Sequence, residues 1–126
     1  MNNHELLSSI IEKLISKGGY ENFAIINLSN GYYVQLSAEI GDTKVYCEAV
    51  SDNYLKYGNK LSPTQIEALK VLKWEDPASP QDNYSTVFSV NSAAEKLELV
   101  NHLMRTVTSV YNTPMISERS VELNLD

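Results

Sequence analysis

The side chains best suited to nucleophilic chemistry in this chain are one cysteine and two histidines. Cys47, His4 and His102 carry the only thiol and imidazole groups among the 126 residues. A reactive thiol needs a nearby cation or helix N-terminus to lower its pKa, whereas Cys47 shares one side of a predicted strand with Val45 and Ala49, as a buried packing residue does. His4 falls in a terminus expected to fray, and His102 is offset from the apolar stripe of a predicted helix. We therefore expect no Cys/His catalytic pair.

Carboxylates and short motifs give no stronger catalytic signal. Glu39 and Glu48 fall on facing predicted strands, but paired carboxylates act as acid and base only in a shielded cleft that separates their pKa values. The two histidines and the cysteine match no zinc-ligand spacing. The five glycines form neither GxGxxG nor GxxxxGK. The sequence thus predicts a protein without metal or cofactor that is not an enzyme.

The eight tyrosines are a more suggestive feature. Tyr33 and Tyr46 are predicted on the side of the sheet opposite its apolar face, and Tyr54 and Tyr57 follow the third strand. Tyrosine is enriched at protein interfaces because it buries a large area at low entropy cost. The alternative is the ordinary preference of tyrosine for strands.

Composition limits the classes of partner. Sixteen acidic and ten basic side chains give a net charge of −6, and the basic ones are scattered. This charge disfavours nucleic-acid binding, which needs concentrated Lys and Arg, and it would attract basic segments of a partner. No apolar run approaches the ~20 residues of a membrane span. A single cysteine and the absence of a signal-peptide pattern lead us to expect a cytoplasmic protein of one domain, residues 1–126.

Periodicity predicts an α+β fold. An amphipathic helix at about residues 3–17 ends at Gly18-Gly19. Three strands follow as an antiparallel meander, with the Asn30-Gly31 pair as the first hairpin turn. A second helix begins at Ser62, with Pro63 and Gln65 completing its start.

The second half of the chain adds one strand and one helix. Tyr84–Val90 is the fourth predicted strand, and Ser92 with Glu95 predicts a capping box for a helix that runs to about Tyr111. Residues 113–126 could be an edge strand, a segment that docks on a partner, or a frayed tail. The order α-β-β-β-α-β-α predicts helices packed on one face of an antiparallel sheet, a three-strand meander plus a fourth strand.

Short motifs follow one another in order within residues 31–84. They are Glu48-Ala49-Val50-Ser51, Asp52-Asn53-Tyr54-Leu55, a helix start at Leu61–Gln65, Leu72-Lys73-Trp74 with Pro77, and Asn83-Tyr84. This series resembles the TY-Chap family, bacterial peptide-binding chaperone-like domains related to the type III secretion chaperones. The resemblance implies a small acidic α+β fold that commonly dimerises and binds segments of other proteins without catalysis.

The chain departs from that family pattern at two points. Type III secretion chaperones usually have two strands between their second and third helices, where this chain has room for one clear strand, Tyr84–Val90. The family tends to place a glycine before the tryptophan, where this chain has Lys73. The first departure bears on a role in secretion more than on the fold.

These observations assign expected roles to particular residues. The candidate peptide-binding residues are Tyr33, Gln35, Tyr46 and Glu48. The candidate dimer face consists of Ile66 and Leu69. The expected structural residues are Trp74 at the junction of the second helix and the sheet, Asn53 as the cap of the turn after the third strand, and Cys47 in the core.

We expect a chaperone-like domain that holds a segment of a partner protein. An extended segment would place apolar side chains in grooves of the sheet or helices, or would add a strand at an exposed edge. The first alternative is an adaptor or regulatory subunit that binds one folded partner. The second is an enzyme with a deep pocket that contains Cys47 and His102.

Overall fold

The computed structural model describes all residues from Met1 to Asp126 and shows an α+β chain with three α-helices and five strands. In chain order the elements are α1 (Asn3–Ser16), β1 (Asn22–Asn27), β2 (Tyr33–Ala38), β3 (Lys44–Ala49), α2 (Pro63–Val71), β4 (Tyr84–Ser89), α3 (Ala93–Arg105) and β5 (Val121–Asn124). The predicted α+β class and order of elements are confirmed, with one strand added at the end. None of the helices is both long and apolar enough to cross a membrane.

The five strands form one antiparallel sheet in the order β4-β3-β2-β1-β5. The first three strands are the predicted meander, and β4 pairs with the free side of β3. On the other side, β5 pairs with β1, so that Leu123 lies opposite Ala24 and Val121 opposite Ile26. The sequence predicted four strands, whereas the sheet has five. The C-terminal segment, for which an edge strand was one of three possibilities, forms the edge strand β5.

The helices cover one face of the sheet, and the core lies between the two layers. Helix α1 packs on β1 and β2, and α3 packs on β4 and on α1. Alternate residues of β1, β2 and β3 point into this core and are buried. Burying one large aliphatic side chain stabilises a fold by about 1.5–3 kcal/mol. The fully buried ones include Leu7, Ile11, Leu14, Ile26, Val34, Leu36, Val45, Leu69, Leu99 and Leu103.

The predicted turn and helix starts are set by local hydrogen bonds. Asn30 and Gly31 both have positive φ, at 60° and 81°, as the Asn-Gly turn requires. At the start of α2, Ser62 Oγ accepts from the Gln65 N–H at 3.1 Å, and Gln65 Oε1 accepts from the Ser62 N–H at 2.8 Å. At the start of α3, Ser92 accepts from the Glu95 N–H, but Glu95 Oε1 accepts from the Asn91 N–H, one residue before the predicted partner.

Helix α2 ends in a Schellman motif in which Lys73 takes the left-handed conformation. The Trp74 N–H donates to the Leu69 carbonyl at 3.0 Å, and the Lys73 N–H donates to the Lys70 carbonyl at 3.0 Å. Lys73 has φ of 70°. Glycine is the usual residue at this position because a Cβ is unfavourable there.

The third helix changes its winding where it meets Trp74. The predicted helix to about Tyr111 is α-helical only as far as Arg105 and continues as a π-helical segment, Thr106–Val110. Buried Thr106 donates through Oγ1 to the His102 carbonyl at 2.9 Å and accepts from the Trp74 indole N–H at 3.0 Å. The sequence placed Trp74 at the junction of α2 and the sheet, whereas its hydrogen-bond partner belongs to the extension of α3.

Buried Asn22 joins the end of α1, the following turn and the C-terminal segment. Its Nδ2 donates to the carbonyls of Leu14 at 2.8 Å and Lys17 at 2.7 Å. Its Oδ1 accepts from the Gly19 N–H and from the Asp126 N–H, each at 3.0 Å. All the hydrogen-bonding positions of this amide are thus used, and they fix the position at which β5 meets β1.

Candidate protein-binding site

The sheet face opposite the helices has no element packed on it. We call it the outer face. Strand residues alternate between the two faces of the sheet. The outer face therefore carries every second strand side chain, and the others point into the core. Its residues on the four longer strands include Phe23, Ile25, Tyr33, Gln35, Ser37, Tyr46, Glu48, Ser85 and Val87.

The four predicted peptide-binding residues come together on the outer face. Gln35 lies opposite Glu48 in the register of β2 and β3, and Tyr46 lies two pairs further along, on the same face. Asn83 Nδ2 donates to Tyr33 Oη at 2.9 Å and to Glu48 Oε1 at 3.4 Å. The asparagine therefore fixes the tyrosine ring and the carboxylate in one arrangement.

A cleft of about 530 Å³ opens at the end of the outer face near the β2–β3 turn. Ser37 lies between Phe23 and Tyr46 in the register, so a small residue separates two aromatic rings. The Tyr46 side chain is 51% exposed. The cleft lining also includes Tyr20, Glu21, Gln35, Glu39 and Asp42.

The cleft and its surroundings are acidic. Glu21, Glu39 and Asp42 line it, and Glu48 lies on the same face. Lys44 is the only lysine or arginine on any of the five strands. An arrangement of carboxylates beside tyrosine rings attracts ammonium and guanidinium groups through charge and through the ring faces.

Sequence reasoning missed Phe23, Ser37 and Asp42 as parts of this site. The Asn30-Gly31 turn carries a signal that could have found the first two. The turn sets Asn27 opposite Tyr33, and counting back along both strands then sets Phe23 opposite Ser37. Asp42 lies in the β2–β3 turn, where its Oδ2 accepts from the Glu39 N–H at 3.2 Å, and no sequence pattern points to it.

The register separates the two carboxylates that the sequence placed on facing strands. The residue opposite Glu48 is Gln35, while Glu39 lies beyond the last residue of β2. Both glutamates are exposed. The structure therefore gives no shielded carboxylate pair.

Cys47 lies in the core, where its chemistry is suppressed. Burial raises the pKa of the thiol to about 12, and its hydrogen-bond partner is the Val45 carbonyl at 3.9 Å. His102 lies in the helical layer between the rings of Trp74 and Phe88, whose centroids are 5.0 and 4.7 Å from its own. No hydrogen bond joins the thiol to the imidazole, so these groups form no nucleophile–base pair.

Helix α2 does not present the predicted dimer face. Leu69 is fully buried within its own chain, and Ile66 is partly buried against the core. A residue enclosed in this way offers no surface to a second copy. The exposed aliphatic residue of the helix is instead Val71, at 68% exposure.

The loop after β3 is tied to a distant loop, not capped locally as predicted. Asn53 Nδ2 donates to the Asp82 carbonyl at 3.2 Å, and Tyr54 Oη donates to the Gln81 carbonyl. Buried Ser51 donates through Oγ to the same Asp82 carbonyl at 2.9 Å. Asn83 therefore reaches the outer face because this loop is anchored immediately before it.

Comparison with protein-family models, curated proteins and solved structures gives no match to the chain. The side chains of His, Cys, Asp and Glu also form no group of three or more that could hold a metal ion.

Proposed function

We propose that this chain is a non-catalytic, chaperone-like domain that holds a segment of a partner protein on its outer face. The observation that carries the proposal is the uncovered cleft in which Phe23 and Tyr46 flank Ser37. Partly exposed aromatic side chains on strands suit protein recognition, because little side-chain entropy is lost when a partner covers them.

The geometry favours side-chain docking on the face over strand addition at β4. The backbone of Glu75 exchanges two hydrogen bonds with Ser85, at 2.8 and 3.1 Å, and so occupies part of the β4 edge. An extended segment that crosses the outer face can instead insert an apolar or aromatic side chain beside Ser37. The acidic residues around the cleft favour a segment that also carries Lys or Arg.

The proposal includes a cytoplasmic location and a protein partner in place of a nucleic acid or membrane. The location is supported by Cys47, a buried free thiol that forms no disulfide. The partner class is supported by the acidity of the outer face. A role in secretion and membership of the TY-Chap family rest on the sequence resemblance alone.

The first experiment is purification of the tagged protein from its native cells after mild crosslinking, followed by mass spectrometry. An aggregation-prone or secreted partner crosslinked through one terminal segment supports the proposal. One folded partner in a fixed ratio, without suppression of its aggregation, supports the adaptor alternative.

The second experiment measures the affinity of the identified segment for matched tyrosine variants. Tyr46→Ala removes an aromatic ring from the cleft, while Tyr57→Ala removes a ring that is 94% exposed and outside it. We expect Tyr46→Ala to weaken binding about tenfold or more, the loss typical of an interface anchor, and Tyr57→Ala to leave it unchanged. Equal affinities would show that the outer face is the wrong surface.

A further inference from the structure

A second cleft lies on the helical side of the molecule, where the end of α2 meets α3. Its volume is about 360 Å³. That size is within the range of small-molecule sites. The lining consists of Val71, Leu72, Lys73, Phe88, Glu98, Asn101, His102 and Arg105. This cleft is separate from the outer face, and an inference from it does not depend on the proposed function.

His102 is the unsatisfied polar group of the structure. It is 6% exposed, and its Nε2 is the one buried side-chain nitrogen or oxygen without a hydrogen-bond partner. Buried polar groups in folded proteins are nearly always paired, so an unpaired one calls for an explanation. Burial and the nearby charge of Arg105 lower the pKa of the imidazole to about 4. At neutral pH the ring is therefore uncharged and offers one donor and one acceptor.

Two cations line the same cleft without a carboxylate partner. The one ion pair of the chain joins Lys96 and Glu12, at 2.7 Å, so Lys73 and Arg105 are both unpaired. Glu98 is the one acidic residue of the lining. The cleft is thus net positive in a chain whose overall charge is −6. Lys73 also lines this cleft from a backbone position better suited to glycine.

Apolar surface adjoins these cations. Val71 is 68% exposed, and Leu72 and Phe88 border the cleft beside it. Val71, Leu72 and Arg105 also line a neighbouring groove of about 670 Å³ along α2, in which Ala68 and Pro63 continue the apolar surface. A ligand that places an anionic group at Arg105 therefore has apolar surface for the rest of its body.

We propose that this cleft binds a small organic carboxylate with an apolar body. The planar guanidinium of Arg105 matches a carboxylate through two parallel hydrogen bonds, and Lys73 adds a second positive charge. The amide of Asn101 supplies a further polar contact. The apolar body lies on Val71, Leu72 and Phe88.

The test uses 3-phenylpropanoate as the probe and 3-phenylpropan-1-ol as its neutral counterpart. Binding to the full chain at pH 7 is followed by backbone amide and imidazole NMR shifts. We expect saturable shifts at Phe88, Asn101 and His102 with the carboxylate and much weaker ones with the alcohol.

Charge-matched variants distinguish a built site from general attraction. Arg105→Gln and Lys73→Gln each remove a cation from the cleft, whereas Lys56→Gln removes an exposed cation elsewhere. We expect Arg105→Gln to weaken carboxylate binding about tenfold or more, because the charge-assisted hydrogen bonds of the guanidinium are lost, and Lys56→Gln to have no effect. Absence of saturable shifts, equal binding of the alcohol, or unchanged affinity in both cleft variants would overturn the proposal. A dimer detected by sedimentation would also overturn the proposal if Val71 and Arg105 were protected from hydrogen exchange in it. A second copy of the chain would then occupy the cleft.

Discussion

At the scale of single residues, the loops of this protein depend on a few buried polar side chains. Asn22, Asn83 and Thr106 each bond to at least two other segments or side chains. A buried donor or acceptor that loses its partner costs about 1–3 kcal/mol. These side chains therefore stabilise the fold mainly because their removal would leave buried backbone or side-chain groups without a hydrogen-bond partner.

Asn22→Ala tests this point. The substitution leaves two carbonyls and two N–H groups without their partner. We expect a loss of about 2–4 kcal/mol in the free energy of unfolding, measured by urea denaturation. Asn91→Ala, at an exposed position whose side chain makes no hydrogen bond, is the control and should change stability by less than about 0.5 kcal/mol. A similar small loss in both variants would contradict this role.

Lys73→Gly should stabilise the protein. The left-handed φ of 70° is accessible to glycine without a Cβ penalty, so we expect a gain of about 0.5–1 kcal/mol in chemical denaturation. Lys70→Gly, within the last turn of α2, should instead destabilise by up to about 1 kcal/mol. If both substitutions destabilise, Lys73 contributes contacts that outweigh its backbone strain. The same Lys73→Gly variant should lose carboxylate affinity while gaining stability.

His102 should make the fold sensitive to acid. Its pKa is lowered from 6.5 to about 4 in the folded chain, so the unfolded chain takes up a proton at a higher pH than the folded chain does. The contribution of the neutral imidazole to the free energy of unfolding is complete above pH 6.5. It is lost as pH falls to about 4, a decrease on the order of 2–3 kcal/mol. Burial is the main cause of the lowered pKa, and the charge of Arg105 adds to it.

The measurement is urea denaturation of the wild type and His102→Gln between pH 7 and pH 4. The variant removes this proton uptake, so the wild type should lose more stability than the variant as pH falls from 7 to 4. The exposed His4 provides the matched control variant, His4→Gln. Parallel curves for the wild type and His102→Gln would contradict the assignment.

Among the elements, the sequence predicts features whose hydrogen-bond partners lie close together along the chain. It does not predict pairings between distant segments. The capping box of α2 and the Asn30-Gly31 turn were predicted because their partners lie within three residues. The strand nature of residues 121–124 depends on β1, far away in the sequence, and remained open for that reason. The hydrogen bonds from Trp74 to Thr106 and from Asn53 to Asp82 also join residues far apart in the sequence, so local patterns did not predict them.

The candidate site followed the same rule. Alternation along β2 and β3 placed Tyr33, Gln35, Tyr46 and Glu48 on one face, and the register brought them together. The burial of Leu69 depends on how α2 packs against the rest of the chain, which its own spacing does not reveal. The sequence therefore predicted the face of the sheet better than the face of the helix.

Strand β5 should open more readily than the central strands. It has four residues and lies at the sheet edge, mostly exposed. Segments with few buried contacts exchange their amide protons through low-energy local openings. We expect the amides of Val121–Asn124 to exchange faster than those of Val34 and Leu36 in hydrogen-exchange NMR. Equal protection would show that β5 opens only when the whole domain unfolds.

At the scale of the whole molecule, the two sides of the sheet differ in charge. The outer face carries carboxylates around its aromatic cleft, and the helical side holds a cleft with two unpaired cations. Under the two proposals, one small chain binds two ligands of opposite charge at separate clefts. Net charge alone, at −6, describes only the first of these surfaces.

Binding at the outer face should weaken with salt. Exposed charges are screened over about 10 Å at 0.1 M ionic strength and about 3 Å at 1 M. We expect a Lys-containing segment to lose affinity several-fold between low and high salt, measured by fluorescence anisotropy. The double variant Glu39→Gln/Asp42→Asn should reduce that dependence, while Glu118→Gln, at an exposed position outside the cleft, should not. A salt response identical in all three proteins would exclude the acidic cleft as the docking site.

The pairing of β1 with β5 also bears on the order in which the chain folds. Asn22 and Asp126, which meet at this pairing, are 104 positions apart in the sequence. Closing so long a loop costs more entropy than forming the β1–β2 hairpin, and non-local pairings of this kind slow folding. The meander should therefore assemble first, with the free edge of β1 available to any other extended chain until β5 arrives. Exchange of β5 between two molecules would satisfy the same hydrogen bonds, which makes this strand the natural point of domain swapping at high protein concentration.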